Sequence, residues 1–160
     1  MFQSFTSLFD SNVRTAAPLH IYQFFAKWGN WGTSDGQINY PSHIAVDSSR
    51  NVYVTESGGI RVQKFTSSGS FLTKWGTLGT GDGQFNSPAS IATDALGNVF
   101  VADFYNNRIQ KFMSNGTFMT KWGSQGAGEG QLDHPSEVAV DSSGYVYVCD
   151  FGNHQIQIFR

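Results

Sequence analysis

Residues 74–113 read KWGTLGTGDGQFNSPASIATDALGNVFVADFYNNRIQKFM, and residues 121–160 read KWGSQGAGEGQLDHPSEVAVDSSGYVYVCDFGNHQIQIFR; the two stretches agree at 19 of 40 positions. The offset is 47 residues, and it extends backwards. Lys27-Trp28-Gly29 recurs as Lys74-Trp75-Gly76 and Lys121-Trp122-Gly123. Pro41, Pro88 and Pro135 keep the same spacing, as do Asp47, Asp94 and Asp141, Gln63, Gln110 and Gln157, and Phe65, Phe112 and Phe159. One unit is therefore written three times, and the fold must be read from the unit.

Inside the unit the pattern is β. Ile91-Ala92-Thr93 is short and apolar, and Val99-Phe100-Val101-Ala102 is β-branched and aromatic, as a buried strand requires. Arg108-Ile109-Gln110-Lys111-Phe112 alternates polar with apolar residues, and Ser70-Phe71-Leu72-Thr73-Lys74-Trp75 supplies the last strand type. Leu96-Gly97-Asn98, Ser67-Ser68-Gly69 and Ser114-Asn115-Gly116 carry turn chemistry between them. The last of these begins the glycosylation pattern Asn115-Gly116-Thr117, which reads here as a turn. Four strands, a to d, joined by short turns make an antiparallel meander. Four-stranded repeats of this length are the blades of a β-propeller, so the predicted fold is all-β.

Composition excludes the competitors. Aromatic residues make up 15% and charged residues only 14%, the reverse of a disordered chain. The formal charge is −2 and no Lys/Arg cluster occurs, which argues against nucleic acid as a partner. Cys149 is the only cysteine, which excludes an intrachain disulfide and a multi-cysteine zinc site. No apolar run is long enough to span a membrane, and residues 1–20 lack the basic start and apolar core of a signal peptide.

The run Asp103-Phe104-Tyr105-Asn106-Asn107-Arg108-Ile109-Gln110-Lys111-Phe112 resembles the core of the NHL repeat, and Asp150-Phe151-Gly152-Asn153-His154-Gln155-Ile156-Gln157-Ile158-Phe159 keeps the Asn-His pair of that repeat. The Pro-x-x-Ile/Val-Ala-x-Asp pattern and Val-Tyr-Val also fit, and the resemblance covers about residues 21–160. The first unit departs most, with Glu56 for Asp, Gly59 for Asn and Ile60 for His, and the third has Gln155 where Arg is usual. The resemblance implies a propeller that is commonly six-bladed and that binds proteins, RNA or cell-wall polymers. A few relatives are enzymes, among them peptide-amidating lyases with several channel histidines on zinc.

The strands do not divide into whole blades. Residues 21–29 match strand d alone, 41–76 and 88–123 each hold a full set, and 135–159 hold a to c, three blades' worth in all, with residues 1–20 as an extension outside the repeats. Three blades are too few to close a ring. The expectation is a homodimer in which strand 21–29 of each chain completes the last blade of the other, giving six blades. The alternatives are a fragment, or an engineered chain whose one property is assembly.

Sites are read against the repeat. Positions that recur in every unit, such as Asp103 and Asp150, Asn106 and Asn153, and Trp28, Trp75 and Trp122, read as structure. The Gly-rich link Gly79 to Pro88 leads into a strand rather than a helix, so it reads as a shaped turn and not a phosphate cradle. Calcium at Asp35, Asp82 and Glu129 has one carboxylate per loop, too few for its oxygen shell. Positions that differ between units are more informative. His43, Ser90 and Glu137 begin the innermost strands, and His43 is expected to face Glu137 of the partner across the dimer seam, a thin candidate for a metal or an acid–base pair. No catalytic residue and no cofactor are assigned. Strand alternation places the d–a and b–c loops on one face with Trp31, Tyr40, Phe104, Tyr105, Phe151, His134 and His154, a surface suited to a protein, peptide or glycan. The favoured reading is a non-catalytic interaction scaffold, and the alternative is a metal-dependent lyase- or hydrolase-like enzyme with its site at the channel.

Overall fold

A computed structural model describes residues 22–160 of the chain. The expected extension, residues 1–20, and Ile21 lie outside the described residues. The described part holds three antiparallel sheets. In the first, β1 (Pro41–Val46), β2 (Val52–Glu56), β3 (Arg61–Phe65) and β4 (Phe71–Trp75) pair in chain order. The second repeats this with β5 (Pro88–Thr93), β6 (Val99–Asp103), β7 (Arg108–Phe112) and β8 (Phe118–Trp122). The third has three strands, β9 (Pro135–Val140), β10 (Val146–Asp150) and β11 (Gln155–Phe159).

Local chemistry explains the turns. Asp94 caps the β5–β6 link by accepting the amides of Leu96 and Asn98 at 2.9 and 2.8 Å, and Asp47 and Asp141 do the same job in the other units. In the link before β5, Gly81 N donates to Gln84 Oε1 at 2.9 Å, so this loop is a self-bonded turn.

The inner strands lie side by side, with β5 between β1 and β9. Two apolar cores form between sheets. Tyr53 and Val62 of the first sheet pack on Phe85, Ile91, Val99, Val101 and Phe112 of the second. Phe100, Ala102 and Ile109 of the second pack in the same way on Leu132, Val138, Val146 and Val148 of the third. Tryptophans bridge each junction: the ring of Trp75 lies 5.7 Å from Phe112, and Trp122 lies 5.7 Å from Phe159. Trp28 lies 4.8 Å from Phe65, in the equivalent position ahead of the first sheet.

Residues 22–29, the described part of the strand d expected at 21–29, form no strand. A strand needs a neighbour to take its amides and carbonyls, and among the described residues no strand pairs with this segment. Tyr22, Phe24 and Phe25 are exposed.

Candidate functional site

The loop face is built on a buried polar tie. Asp103, at the end of β6, pairs with Arg108, the first residue of β7. Arg108 Nε donates to Asp103 Oδ2 at 2.8 Å, and its terminal nitrogens donate to the carbonyls of Thr80, Gly81 and Gln84 at 2.7–2.9 Å. Burial raises the pKa of Asp103 despite hydrogen bonds from Asn86 N, Asn106 and Arg108. Asp150 is the same position in the third unit. There burial is outweighed by donors from Asp133 N, Asn153, Gln155 and Gln157, and the pKa falls. The first unit does the same work with Glu56 and Arg61, whose Nε–Oε1 distance is 3.1 Å. These recurring groups are frame rather than chemistry.

The tie fixes the b–c turn. Phe104–Asn106 form one turn of 3-10 helix, ended by Asn107 in the left-handed region at φ 53°. Phe104 N and Tyr105 N donate to the carbonyls of Ser87 and Asn86, which docks this turn on the preceding link. His134 N donates to Asn107 Oδ1 at 2.8 Å, drawing in the link of the next unit.

Four rings meet there. Phe104 lies 5.0 Å from Tyr105, 4.9 Å from His134 and 6.5 Å from Phe151, and Tyr105 lies edge-on to His134 at 5.7 Å. Tyr105 is 57% exposed and Phe151 62%. His134 Nδ1 lies 2.7 Å from Asp133 Oδ1, so an acidic edge flanks the aromatic surface. Of the expected face residues, Phe104, Tyr105 and Phe151 come together. Trp31 and Tyr40 are exposed but join no ring contact among the described residues. His134 completes the cluster; the sequence put it on this face, but only the Asn107 bond signals its place.

The channel positions also come together, in a way the sequence did not anticipate. Each inner strand starts with an extra residue (Ser42, Ala89, Ser136) that shifts its register against the next strand. Ser90 Oγ donates to Glu137 Oε1 at 2.8 Å, and His43 Nε2 lies 3.2 Å from the same oxygen. His43 was expected to meet Glu137 of a partner; here the pair forms within one chain. The reason is the small Ser90 between them, over which the two longer side chains meet. These residues do not fit a metal centre: one imidazole and one carboxylate, bonded to each other, fall short of a ligand set. No group of three or more His, Cys, Asp or Glu is arranged for a metal among the described residues. Asp35 and Asp82, weighed for calcium, pair with Lys74 and Lys121.

Residues 85–112 and 132–159 match the NHL repeat model, and residues 30–55 match a β-propeller repeat model. The chain belongs to the NHL-repeat β-propeller family. Its three sheets are accordingly blades, the third with three strands. Solved structures similar to this NHL-repeat chain include one in a nidogen–laminin complex, at TM-score 0.58 and 21% identity over 76% of this chain and 44% of that one. An auxiliary nutrient binding protein from Bacteroides thetaiotaomicron has TM-score 0.57 and 14% identity over 72% and 36%. Virginiamycin B lyase from Staphylococcus aureus has TM-score 0.55 and 16% identity over 76% and 41%. At these identities the likeness is one of fold, and the chain spans 36–44% of the length of these three structures. No curated protein matches the chain.

Proposed function

We propose that this NHL-repeat chain is a non-catalytic interaction scaffold that binds a protein, peptide or glycan through its loop face. The observation that carries the reading is the partly exposed cluster of Phe104, Tyr105, Phe151 and His134. It differs from unit to unit, where the first blade has Ser57 and Gly58 in place of Phe104 and Tyr105. Rigid aromatic rings held by a backbone-tied turn give contact area at little entropic cost. Screening the purified chain against peptide and glycan arrays tests this. Binding that vanishes in Tyr105→Ala and persists in His43→Ala supports it; binding indifferent to Tyr105 and Phe151 overturns it.

We further propose that two copies close a six-bladed ring by exchanging the strand at residues 21–29. The two outer faces of the three-blade unit support this, because they carry the residues that fill the junctions inside it. Ile91 is 2% exposed against the blade before it, while its counterpart Ile44 is 62% exposed. Ile109 is 0% exposed against the blade after it, while Ile156 is 60% exposed. Each bare face matches the other, which is the condition for two-fold closure. Sedimentation equilibrium of the 160-residue chain is the test, and a monomer at all concentrations overturns the ring.

A second reading, a metal-dependent lyase or hydrolase at the channel, draws on the His43, Ser90 and Glu137 contacts. The polar groups there already bond to one another, which favours a structural lining. Stoichiometric zinc or calcium in the purified protein would restore the enzymatic reading.

A further inference from the structure

A groove of about 600 Å³ runs between the second and third blades, walled by Phe100, Lys121, Trp122, Gly130 and Phe159. The equivalent place between the first and second blades is filled. There Phe118 packs edge-on to Phe112 at 6.0 Å, and the turn at Gly116 covers Trp75, since a Cβ on Gly116 would lie 2.7 Å from Trp75 Cδ2. The third sheet has three strands among the described residues, and no equivalent covering lies over Trp122 and Phe159. Phe65 and Phe112 are buried, and Phe159 is only half-buried. Gln63 and Gln110 are buried, and Gln157 is half-exposed. A Cβ on Gly36 would lie 3.6 Å from Phe71 Cβ, whereas Gly130 in the same repeat position meets nothing.

We infer that this groove is the seat for residues 22–28 of a second copy of the chain, which deepens the two-copy ring proposed above and rests on it. The repeat sets the register. In the complete second blade Ile109 faces Trp122, Gln110 faces Lys121, Lys111 faces Thr120 and Phe112 faces Phe118. Subtracting the period puts Trp28 of one copy opposite Ile156 of the other, Lys27 opposite Gln157, Ala26 opposite Ile158 and Phe24 opposite Phe159. Phe24, 81% exposed in the single chain, then enters the groove as Phe118 does in its own blade. The charges agree independently. Lys74 Nζ binds Asp35 at 2.5 Å and Lys121 Nζ binds Asp82 at 2.6 Å. Glu129 holds the same place in the third blade and is exposed, and the Lys in register with it is Lys27 of the other copy.

The test is the dimer dissociation constant by sedimentation equilibrium, with circular dichroism to confirm folding. Lys27, Glu129 and Phe24 are all exposed in the single chain, so substitution leaves each copy folded. Lys27→Glu and Glu129→Lys are each expected to weaken the dimer about tenfold, since each removes two pairs, and the double swap to restore it. Phe24→Ala is expected to weaken it at least about a hundredfold. A wild-type monomer overturns both the ring and the seat. A dimer indifferent to Lys27→Glu and Phe24→Ala keeps the ring and overturns the seat. Failure of the double swap to restore affinity overturns the Lys27–Glu129 contact.

Discussion

Arg108 Nε lies 2.8 Å from Asp103 Oδ2, both groups buried, and the same guanidinium holds the carbonyls of Thr80, Gly81 and Gln84. One side chain thus joins two strands of a blade to the link that precedes it. Arg108→Ala leaves a buried carboxylate without its cation and is expected to cost about 3–5 kcal/mol. The third blade has Gln155 at this position, bonded to Asp150 at 2.9 Å and reaching no link carbonyl. Gln155→Arg is expected to add about 1–2 kcal/mol through new charge-assisted bonds. Urea unfolding of both variants measures the two effects.

Trp75 fills the junction between the first and second blades against Phe112, and among the described residues its indole N–H finds no hydrogen-bond partner. Trp75→Ala is therefore expected to cost about 3 kcal/mol or more, and Trp75→Phe much less, because Phe keeps an aromatic ring and leaves no polar group unpaired. Gly116→Ala is expected to destabilise on two counts, its φ of 89° and the closeness of Trp75. Thermal melts rank the three variants.

Asp150 gives a pH signature. Burial pushes its pKa up, but four donors outweigh it, and the folded value lies below the ordinary 3.8. A depressed acid contributes stability that is present above its unfolded pKa and lost as pH falls through the folded one. Asp150→Asn is expected to be less stable than wild type at pH 7, with the gap closing below 3.8. Urea midpoints across that range check it; a gap that stays constant refutes it.

Tyr105→Ala and Phe151→Ala remove partly exposed rings from the loop face. Little change in melting temperature is expected, because neither ring belongs to either interblade core. Loss of binding to whatever array ligand the wild type retains is expected, at about tenfold or more per ring.

Much of this was legible in the residues. The repeat at an offset of 47 made an all-β fold of antiparallel sheets readable, since a repeated unit with period-2 alternation and turn residues leaves little freedom, whereas the strand expected at 21–29 forms no strand over 22–29. The role of Asp103 was readable for the same reason: a group present in each unit belongs to the frame. His134 joining Phe104 and Tyr105 was not readable as a contact, because it depends on the Asn107 bond across 27 residues. Nor was the pairing of His43 with Glu137 inside one chain, which follows from how closely β1, β5 and β9 pack and from the size of Ser90.

By itself, the sequence determined the unit, its strands and its turns, since these follow from local alternation and from Gly, Asn and Asp at the bends. Tertiary structure decided which residues the packing of one sheet on another leaves bare. Ile44 and Ile91 have the same local sequence signature, and only the presence of a neighbouring blade separates a core residue from an exposed one. Burial is a property of the pair of surfaces, and a strand cannot encode it alone.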